Sequence, residues 1–223
     1  MWKKRGIIVS CQAQKGDPLH GPQFMGQMAL AAKQGGAVGI RANGMADIAY
    51  IKENVGLPVI GILKKHYPNY TPFITPTLED ALSVAYAGAD IIAMDCTKND
   101  RPDGRSLKET VQAIHAQTGC KIMADIATYE EGQYAFESGV DYLGTTLYGY
   151  TEETKHLQPP GFTLMKQLVD RLPLPVIAEG GISSPEHVKQ AFDIGVSWVV
   201  IGAAITRPQY ITEKFANAVE DIN

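Results

Sequence analysis

The sequence predicts an α/β fold, a single (β/α)8 TIM barrel that occupies residues 1–223 as one catalytic domain. Three observations predict it. Short apolar runs alternate with segments of helical period eight times along the chain, at roughly 25 residues per unit. The runs are apolar at nearly every position, as in Ile91-Ile92-Ala93-Met94 and Val199-Val200-Ile201. Parallel strands covered on both faces read this way, whereas half-exposed strands alternate. The length of 223 residues also lies within the roughly 200–250 residues that such barrels fill as one unit. An open doubly wound sheet is the rival, but it uses fewer strands and gathers its ligand at one switch point.

The strands are expected, in order, at 6–12, 37–42, 58–65, 90–96, 121–126, 142–147, 175–182 and 198–205. The first follows the basic start Met1-Trp2-Lys3-Lys4-Arg5, which resembles a secretion signal. Its apolar core at Ile7-Ile8-Val9 is far shorter than the roughly 7–15 residues such a signal needs. The helices carry ordinary boundary signals. Thr77-Leu78-Glu79-Asp80 opens one that ends at Ala87-Gly88, and Ser184-Pro185-Glu186 opens another that ends at Ile194-Gly195. A hydroxyl accepts from free N–H groups, acidic residues suit the first turn, and glycine tolerates the left-handed exit. Gly88-Ala89-Asp90, Gly139-Val140-Asp141 and Gly195-Val196-Ser197 repeat one helix-stop, strand-start phrase suited to tight connections. Two long connections, 67–76 and 149–160, are read as lids or subunit contacts. A last helix over 208–222 places Tyr210, Ile211, Phe215 and Val219 on roughly one side, to pack on the barrel or on a second copy.

Composition removes several function classes. The net charge is −4, and no run of Lys and Arg exceeds Lys3-Lys4-Arg5, so no nucleic-acid partner is expected. No apolar stretch reaches the roughly 20 residues of a membrane span. Cys11, Cys96 and Cys120 are odd in number and form no CxxC pair, which points to reduced thiols in a cytoplasm. His20, His66, His115, His156 and His187 are scattered, so neither a metal nor another cofactor is expected.

In this fold chemistry sits at the C-terminal ends of the strands. Polar residues appear there after apolar runs: Gln12, Arg41, Lys64, Asp95, Asp125, Thr145, Thr146 and Glu179. A lysine enclosed by apolar walls and other cations has a lowered pKa and suits a general base. Either Lys64 or Lys65 could be that residue, because periodicity does not say which one faces inward. Carboxylates at a buried mouth, Asp125 and Glu179, require a cationic partner or a role as proton carriers. Asp95 could orient Lys64 through a salt bridge. The glycine loops Glu179-Gly180-Gly181-Ile182-Ser183 and Ile201-Gly202-Ala203-Ala204-Ile205 follow strands seven and eight. They form the usual barrel phosphate site, in which backbone N–H groups approach the oxygens closely. Arg207 adds a cation there, and Arg41 could reach the same anion from strand two.

These residues sit in phrases that together resemble the bacterial N-acetylmannosamine-6-phosphate 2-epimerases nearly end to end. The phrases are Ile8-Val9-Ser10-Cys11-Gln12-Ala13, Asp17-Pro18-Leu19-His20, Gly39-Ile40-Arg41-Ala42, Ile60-Gly61-Ile62-Leu63-Lys64, Met123-Ala124-Asp125-Ile126, Gly144-Thr145-Thr146-Leu147-Tyr148-Gly149-Tyr150, Ala178-Glu179-Gly180 and Ala203-Ala204-Ile205-Thr206-Arg207-Pro208. Gly202-Ala203 departs from the more usual Gly-Gly or Gly-Ser. The resemblance implies a sugar-phosphate epimerase of sialic-acid and amino-sugar breakdown, acting as a homodimer. It implies Lys64 as the catalytic lysine and Glu179 as its partner carboxylate, with Gln12, Arg41, Asp125 and Arg207 in contact with substrate. Thr145 and Thr146 join the expected substrate-binding set, and Gly180, Gly181, Gly202 and Ala203 the phosphate-binding set.

Inverting C2 next to a carbonyl calls for proton removal from the open-chain sugar. The proton returns either from Glu179 or from Lys64 after the substrate turns. The scattered histidines argue against the metal-dependent pentose-phosphate 3-epimerases. A Schiff-base aldolase, another sugar-phosphate isomerase and a non-catalytic sugar-phosphate sensor are the remaining alternatives.

Overall fold

Eight parallel strands pair in sequence order, and the eighth returns to the first, which closes the barrel. The structure is a computed structural model that describes residues 5–220, the side chains of 219 and 220 excepted. The start at 1–4, the side chain of Val219 and Ile222 thus lie outside the described residues. The strands are β1 (Gly6–Cys11), β2 (Gly39–Asn43), β3 (Val59–Ile62), β4 (Ile91–Asp95), β5 (Lys121–Asp125), β6 (Tyr142–Gly144), β7 (Val176–Ala178) and β8 (Trp198–Ile201). The helices are α1 (Pro22–Gln34), α2 (Met45–Val55), α3 (Leu78–Tyr86), α4 (Leu107–Thr118), α5 (Tyr129–Ser138), α6 (Phe162–Arg171), α7 (Pro185–Ile194), α8 (Ala203–Thr206) and α9 (Pro208–Glu220).

Successive residues of a strand face opposite ways, and the apolar core divides accordingly. Ile8, Ile60, Ile62, Ile91, Ala93, Met123, Ile177 and Val200 fill the barrel interior. Val9, Ile40, Val59, Ile92, Ile122, Leu143 and Val199 face the helical layer. This parity decides which strand-end residues reach the mouth. Ser10 and Gln12 continue the inward row of Ile8, Lys64 that of Ile62, Asp125 that of Met123, and Glu179 that of Ile177.

The expected helix signals operate as read. Thr77 Oγ1 accepts from Asp80 N at 3.1 Å. Ser184 Oγ accepts from His187 N at 3.4 Å, and the helix exits through Gly195 at φ 111. Ser106 with Glu109 and Thr128 with Glu131 form complete capping boxes.

The strands are shorter than expected at their C-terminal ends, for local reasons. After Ile62 the chain leaves the ladder and pairs antiparallel with its own downstream loop, Lys64 opposite Ile74. The expected strand 198–205 stops at Ile201. Gly202, at φ −108 and ψ −100, turns the chain into the single helical turn α8. Thr206 then ties α8 to the barrel, its hydroxyl donating to Ser10 O at 2.9 Å.

Helix α9 packs chiefly on α8. Tyr210 and Ile211 are half-buried, whereas Phe215 is 74% exposed. Among the described residues no helix is long and apolar enough to cross a membrane.

Candidate active site

The C-terminal mouth is organised around one buried cation. Arg41, 1% exposed, rises from β2 on the inward row and donates through Nη1 to Asp125 Oδ1 (3.1 Å) and through Nη2 to Asp125 Oδ2 (2.5 Å). Its Nη1 also donates to Glu179 Oε2 at 2.7 Å. Burial alone lowers the guanidinium's pKa, but the charges of Asp125 and Glu179 more than reverse this, so the cation is secure. Glu179 is pushed up from 4.5 to about 7, first by desolvation, which the attraction of Arg41 only partly offsets, and also by the nearby charge of Asp125. Near neutral pH this carboxyl can hold or release a proton, as general acid–base work requires.

Lys64 is set by the kink after β3. Its N–H donates to Asn43 Oδ1 at 2.8 Å. On either side, Leu63 N donates to Thr75 Oγ1 (3.1 Å), Thr75 N to Leu63 O (2.8 Å) and Lys65 N to Phe73 O (2.9 Å). Thr75 is fully buried at φ 46, a left-handed conformation that costs a β-branched residue free energy. Its hydroxyl donates to Ala93 O at 2.7 Å, and its carbonyl accepts from Arg101 Nη2 at 3.2 Å. The strained turn is therefore held by neighbours on β3 and β4.

The pairing also answers the question of parity. Lys64 lines the mouth, while Lys65 turns outward to Asp80 at 3.2 Å and over the Tyr67 ring at 4.5 Å. Lys64 is open to the solvent that fills the mouth, but the walls around it partly desolvate it. That desolvation comes first, and Arg41 and Arg207 add to it; together they hold its pKa below the usual lysine value, against the pull of Glu179 and Asp125.

The two glycine loops lie side by side at one end of the mouth. Gly180, Gly181, Ser183, Gly202, Ala203 and Arg207 line a cavity of about 630 Å³ that also reaches Lys64 and Glu179. Gly181 adopts φ 69, and a Cβ there would stand 2.5 Å from Pro159 Cβ and 2.8 Å from Pro159 carbonyl carbon. The 149–160 connection thus closes directly on the β7 loop. A second, overlapping cavity of about 410 Å³ holds Gln12, Arg41, Lys64, Thr146, Glu179 and Arg207 together.

Two of the expected substrate contacts are engaged within the protein. Thr145 is fully buried, and its hydroxyl serves the backbone of Glu179, donating to Glu179 O (2.8 Å) and accepting from Glu179 N (3.1 Å). It follows Leu143 on the outward row, which is why Thr146 and not Thr145 lines the mouth. Asp125 is 0% exposed, and both of its oxygens are occupied, by Arg41 and by Thr146 Oγ1 at 2.6 Å. It holds Arg41 rather than facing the cavity. Arg41 in turn spends its Nη donors on carboxylates and not on the glycine loops.

Asp95 forms no ion pair with Lys64 among the described residues. Its Oδ1 accepts from Thr97 N (3.0 Å) and Thr97 Oγ1 (2.7 Å). Gln12 donates to Ser10 Oγ at 2.9 Å, and its Oε1 is buried with no protein partner among the described residues.

Ser10, Phe73 and Tyr150 also line the mouth and were not anticipated. Ser10 was within reach of sequence reasoning, being two residues before Gln12 on the same face. Phe73 and Tyr150 come from the two long connections, whose course no periodicity describes. Cys11 and Cys96 are buried. Burial, and secondarily Asp47, push the Cys11 thiol up to about 12, so it is inert packing and not a nucleophile.

Known proteins resemble this chain over nearly its whole length. The profile of the NanE family, described as N-acetylmannosamine-6-phosphate epimerase, matches residues 25–221. An N-acetylmannosamine-6-phosphate 2-epimerase of Clostridioides difficile strain 630 is 50% identical over 217 residues, 97% of each chain. One from Listeria monocytogenes strain EGD-e is 46% identical over 222 residues, covering 98% of this chain and 94% of its own. The solved structure of the N-acetylmannosamine-6-phosphate 2-epimerase from Clostridium perfringens superposes with a TM-score of 0.92 at 47% identity, over 95% of this chain and 92% of that one. A thiamine phosphate pyrophosphorylase from Pyrococcus furiosus, at 16% identity and a TM-score of 0.61, shares the fold alone.

Proposed function

The chain belongs to the family of N-acetylmannosamine-6-phosphate epimerases, and from that premise we propose that it interconverts N-acetylmannosamine-6-phosphate and N-acetylglucosamine-6-phosphate by moving a proton at C2 of the open-chain sugar. The observation that carries the mechanism is the shared cavity. Lys64 and Glu179 line the same space, which has glycine loops and Arg207 at one end. The phosphate binds between the loops after β7 and β8, and C2 lies between Lys64 and Glu179.

In the reaction, neutral Lys64 takes the C2 proton. The electron pair of the C2–H bond forms a C1–C2 double bond, and the C1 carbonyl electrons move to its oxygen. A protonated Glu179 and the Gln12 amide are the donors nearest that developing oxyanion, the point at which catalytic stabilisation is largest. Proton return to the opposite face of C2 restores the aldehyde. Glu179 supplies it, or Lys64 serves both faces after the intermediate turns.

Proton NMR in deuterated water with a chelator present tests the reading. N-acetylmannosamine-6-phosphate should yield N-acetylglucosamine-6-phosphate carrying deuterium at C2, and Lys64→Met should abolish the exchange. Turnover in Lys64→Met close to that of the parent would remove Lys64 from its role. If deuterium enters product but not recovered substrate in both directions, two separate groups handle the proton.

The assembly we propose is a homodimer through α9. In support, α9 leaves Phe215 exposed, while an apolar groove of about 460 Å³ lined by Ile7, Val188, Ile201, Ala204 and Ile205 stands open on the barrel. Phe215→Asp should shift the mass in light scattering from two chains to one. A cytoplasmic site of action is supported by the three free thiols.

A further inference from the structure

The mouth has two ends of different character, and only one of them is explained by a phosphate. In the closed strand order, β3 stands four places from β7, so the loop after β3 faces the Gly180–Gly181 loop across the mouth. The β7–β8 end is polar and cationic. The part of the cavity beyond it holds the polar pair Gln12 and Arg41 and is otherwise walled by Ile62, Phe73, Ile74 and Leu147, none of which borders the phosphate end. Lys64 and Glu179 border both. A sugar whose 6-phosphate occupies one end, with C2 at Lys64 and Glu179, therefore directs its C2 substituent into the apolar end.

We propose that Phe73, backed by Ile74 and Leu147, forms a subsite for the acyl methyl of the substrate's C2 acylamino group and sets the tolerated length of that acyl chain. The inference rests on the proposed reaction and adds to it the feature that recognises the acyl group.

The subsite is rigid before substrate arrives. Ile74 and Leu147, 3% and 4% exposed, are the top of the apolar column inside the barrel, and Phe73 packs against that column. Phe73 O accepts from Lys65 N at 2.9 Å, and Ile74 O accepts from Asp95 N at 2.8 Å, so the segment that follows β3 and the end of β4 both hold the loop. The Phe73 ring stacks on His66, with centroids 5.3 Å apart and planes within 10°. A half-buried aromatic ring fixed on its backbone and facing a cavity is a specificity wall and not a packing residue alone. The same loop positions Lys64, so the acyl group and the C2 proton are placed by one piece of backbone.

The test is a series of mannosamine-6-phosphates bearing N-formyl, N-acetyl or N-propanoyl groups, assayed for kcat/KM with the unmodified enzyme and with Phe73→Ala. Burying one methyl-sized group is worth about 0.8 kcal/mol, so the unmodified enzyme should favour N-acetyl over N-formyl by about fourfold or more. It should also discriminate against N-propanoyl. Phe73→Ala should lose the acetyl-over-formyl preference and gain on N-propanoyl. Equal rates for N-formyl and N-acetyl in the unmodified enzyme would overturn the proposal without any variant, and so would an unchanged acyl preference in a folded Phe73→Ala. Competitive inhibition by inorganic phosphate, weakened in Arg207→Ala, reports separately on the phosphate end. A flat acyl series with that inhibition intact sinks the subsite and leaves the epimerase reading standing. No turnover of any of the three substrates sinks both.

Discussion

Glu179→Gln tests the electrostatics of the mouth through stability, independently of any assay of the reaction. The Glu179 carboxyl is raised from 4.5 to about 7 in the folded protein, foremost by desolvation. Its side chain is 13% exposed, so solvent screens it little. A carboxyl raised in this way binds its proton more tightly folded than unfolded. The stability it contributes is fully present below pH 4.5 and is lost as pH rises, until the folded carboxyl has also ionised above about pH 7. Glutamine has nothing to titrate. Any constant difference in packing or in pairing with Arg41 cancels when the two proteins are compared across pH. Between pH 5 and pH 8 the variant should therefore gain about 2–3 kcal/mol relative to the parent. For a chain of this size that is a relative Tm change of about 5 °C. Calorimetry of both proteins at one concentration, at pH 5, 6, 7 and 8, reads it directly. Parallel Tm curves over this range would mean that Glu179 is ionised throughout it, at a normal or a lowered pKa, the latter showing as a relative loss for the parent only as pH falls below about 4.5. That result would remove Glu179 as a proton carrier near neutrality.

Three further outcomes are expected. Gly61→Ala places a Cβ 2.6 Å from Val84 Cγ1 and 2.7 Å from Ala89 Cβ, on the face of β3 turned away from the mouth. Overpacking of this kind costs about 1–3 kcal/mol, so Tm should fall by several degrees while kcat at room temperature stays near the parent value. Gly181→Ala combines φ 69 with a clash against Pro159 backbone, so it should displace the β7 loop and raise KM for the phosphorylated substrate far more than it lowers kcat, as steady-state kinetics would show. Borohydride added with substrate should leave Lys64 unmodified by mass spectrometry, since proton transfer forms no imine; a stable adduct would favour aldolase chemistry.

The barrel was legible because its signals are local and repeated. Apolar runs such as Ile91-Ile92-Ala93-Met94, and the Gly-x-Asp and Gly-x-Ser strand entries, depend only on near neighbours in the chain. The site was legible to the extent that strand parity carries through. Counting by twos from Ile8 finds Gln12, from Met123 finds Asp125, and from Ile177 finds Glu179. From Ile62 the same count reaches Lys64, but the sequence does not say whether Ile62 or Leu63 faces inward, which leaves Lys65 open. Lys64 lies beyond the end of β3, where Asn43 accepts from its N–H while Thr75 and Phe73 hold its neighbours Leu63 and Lys65, contacts made by the folded loop and not by strand period. Residue chemistry alone also does not say which side chains are already engaged within the protein. A threonine or aspartate at a strand end looks the same whether it meets substrate or, like Thr145 and Asp125, is fully occupied in holding another side chain or its backbone.

That occupation gives the mouth its chemistry. With both carboxylates ionised, the buried group of Arg41, Asp125 and Glu179 carries one excess negative charge in a poorly solvated place, where such an excess is costly. Which carboxyl takes up the proton depends on geometry. Asp125 holds Arg41 through two donors and accepts a third hydrogen bond from Thr146. Glu179 has one donor from the same guanidinium and borders the cavity. Burial, joined by the charge of Asp125, raises the Glu179 carboxyl, so Glu179 can carry a proton near neutrality. On the proposed mechanism Asp125 acts indirectly, by occupying Arg41. Without Asp125 one of the two influences that raise Glu179 would be gone, and its carboxyl would sit lower than it does, with burial still holding it up.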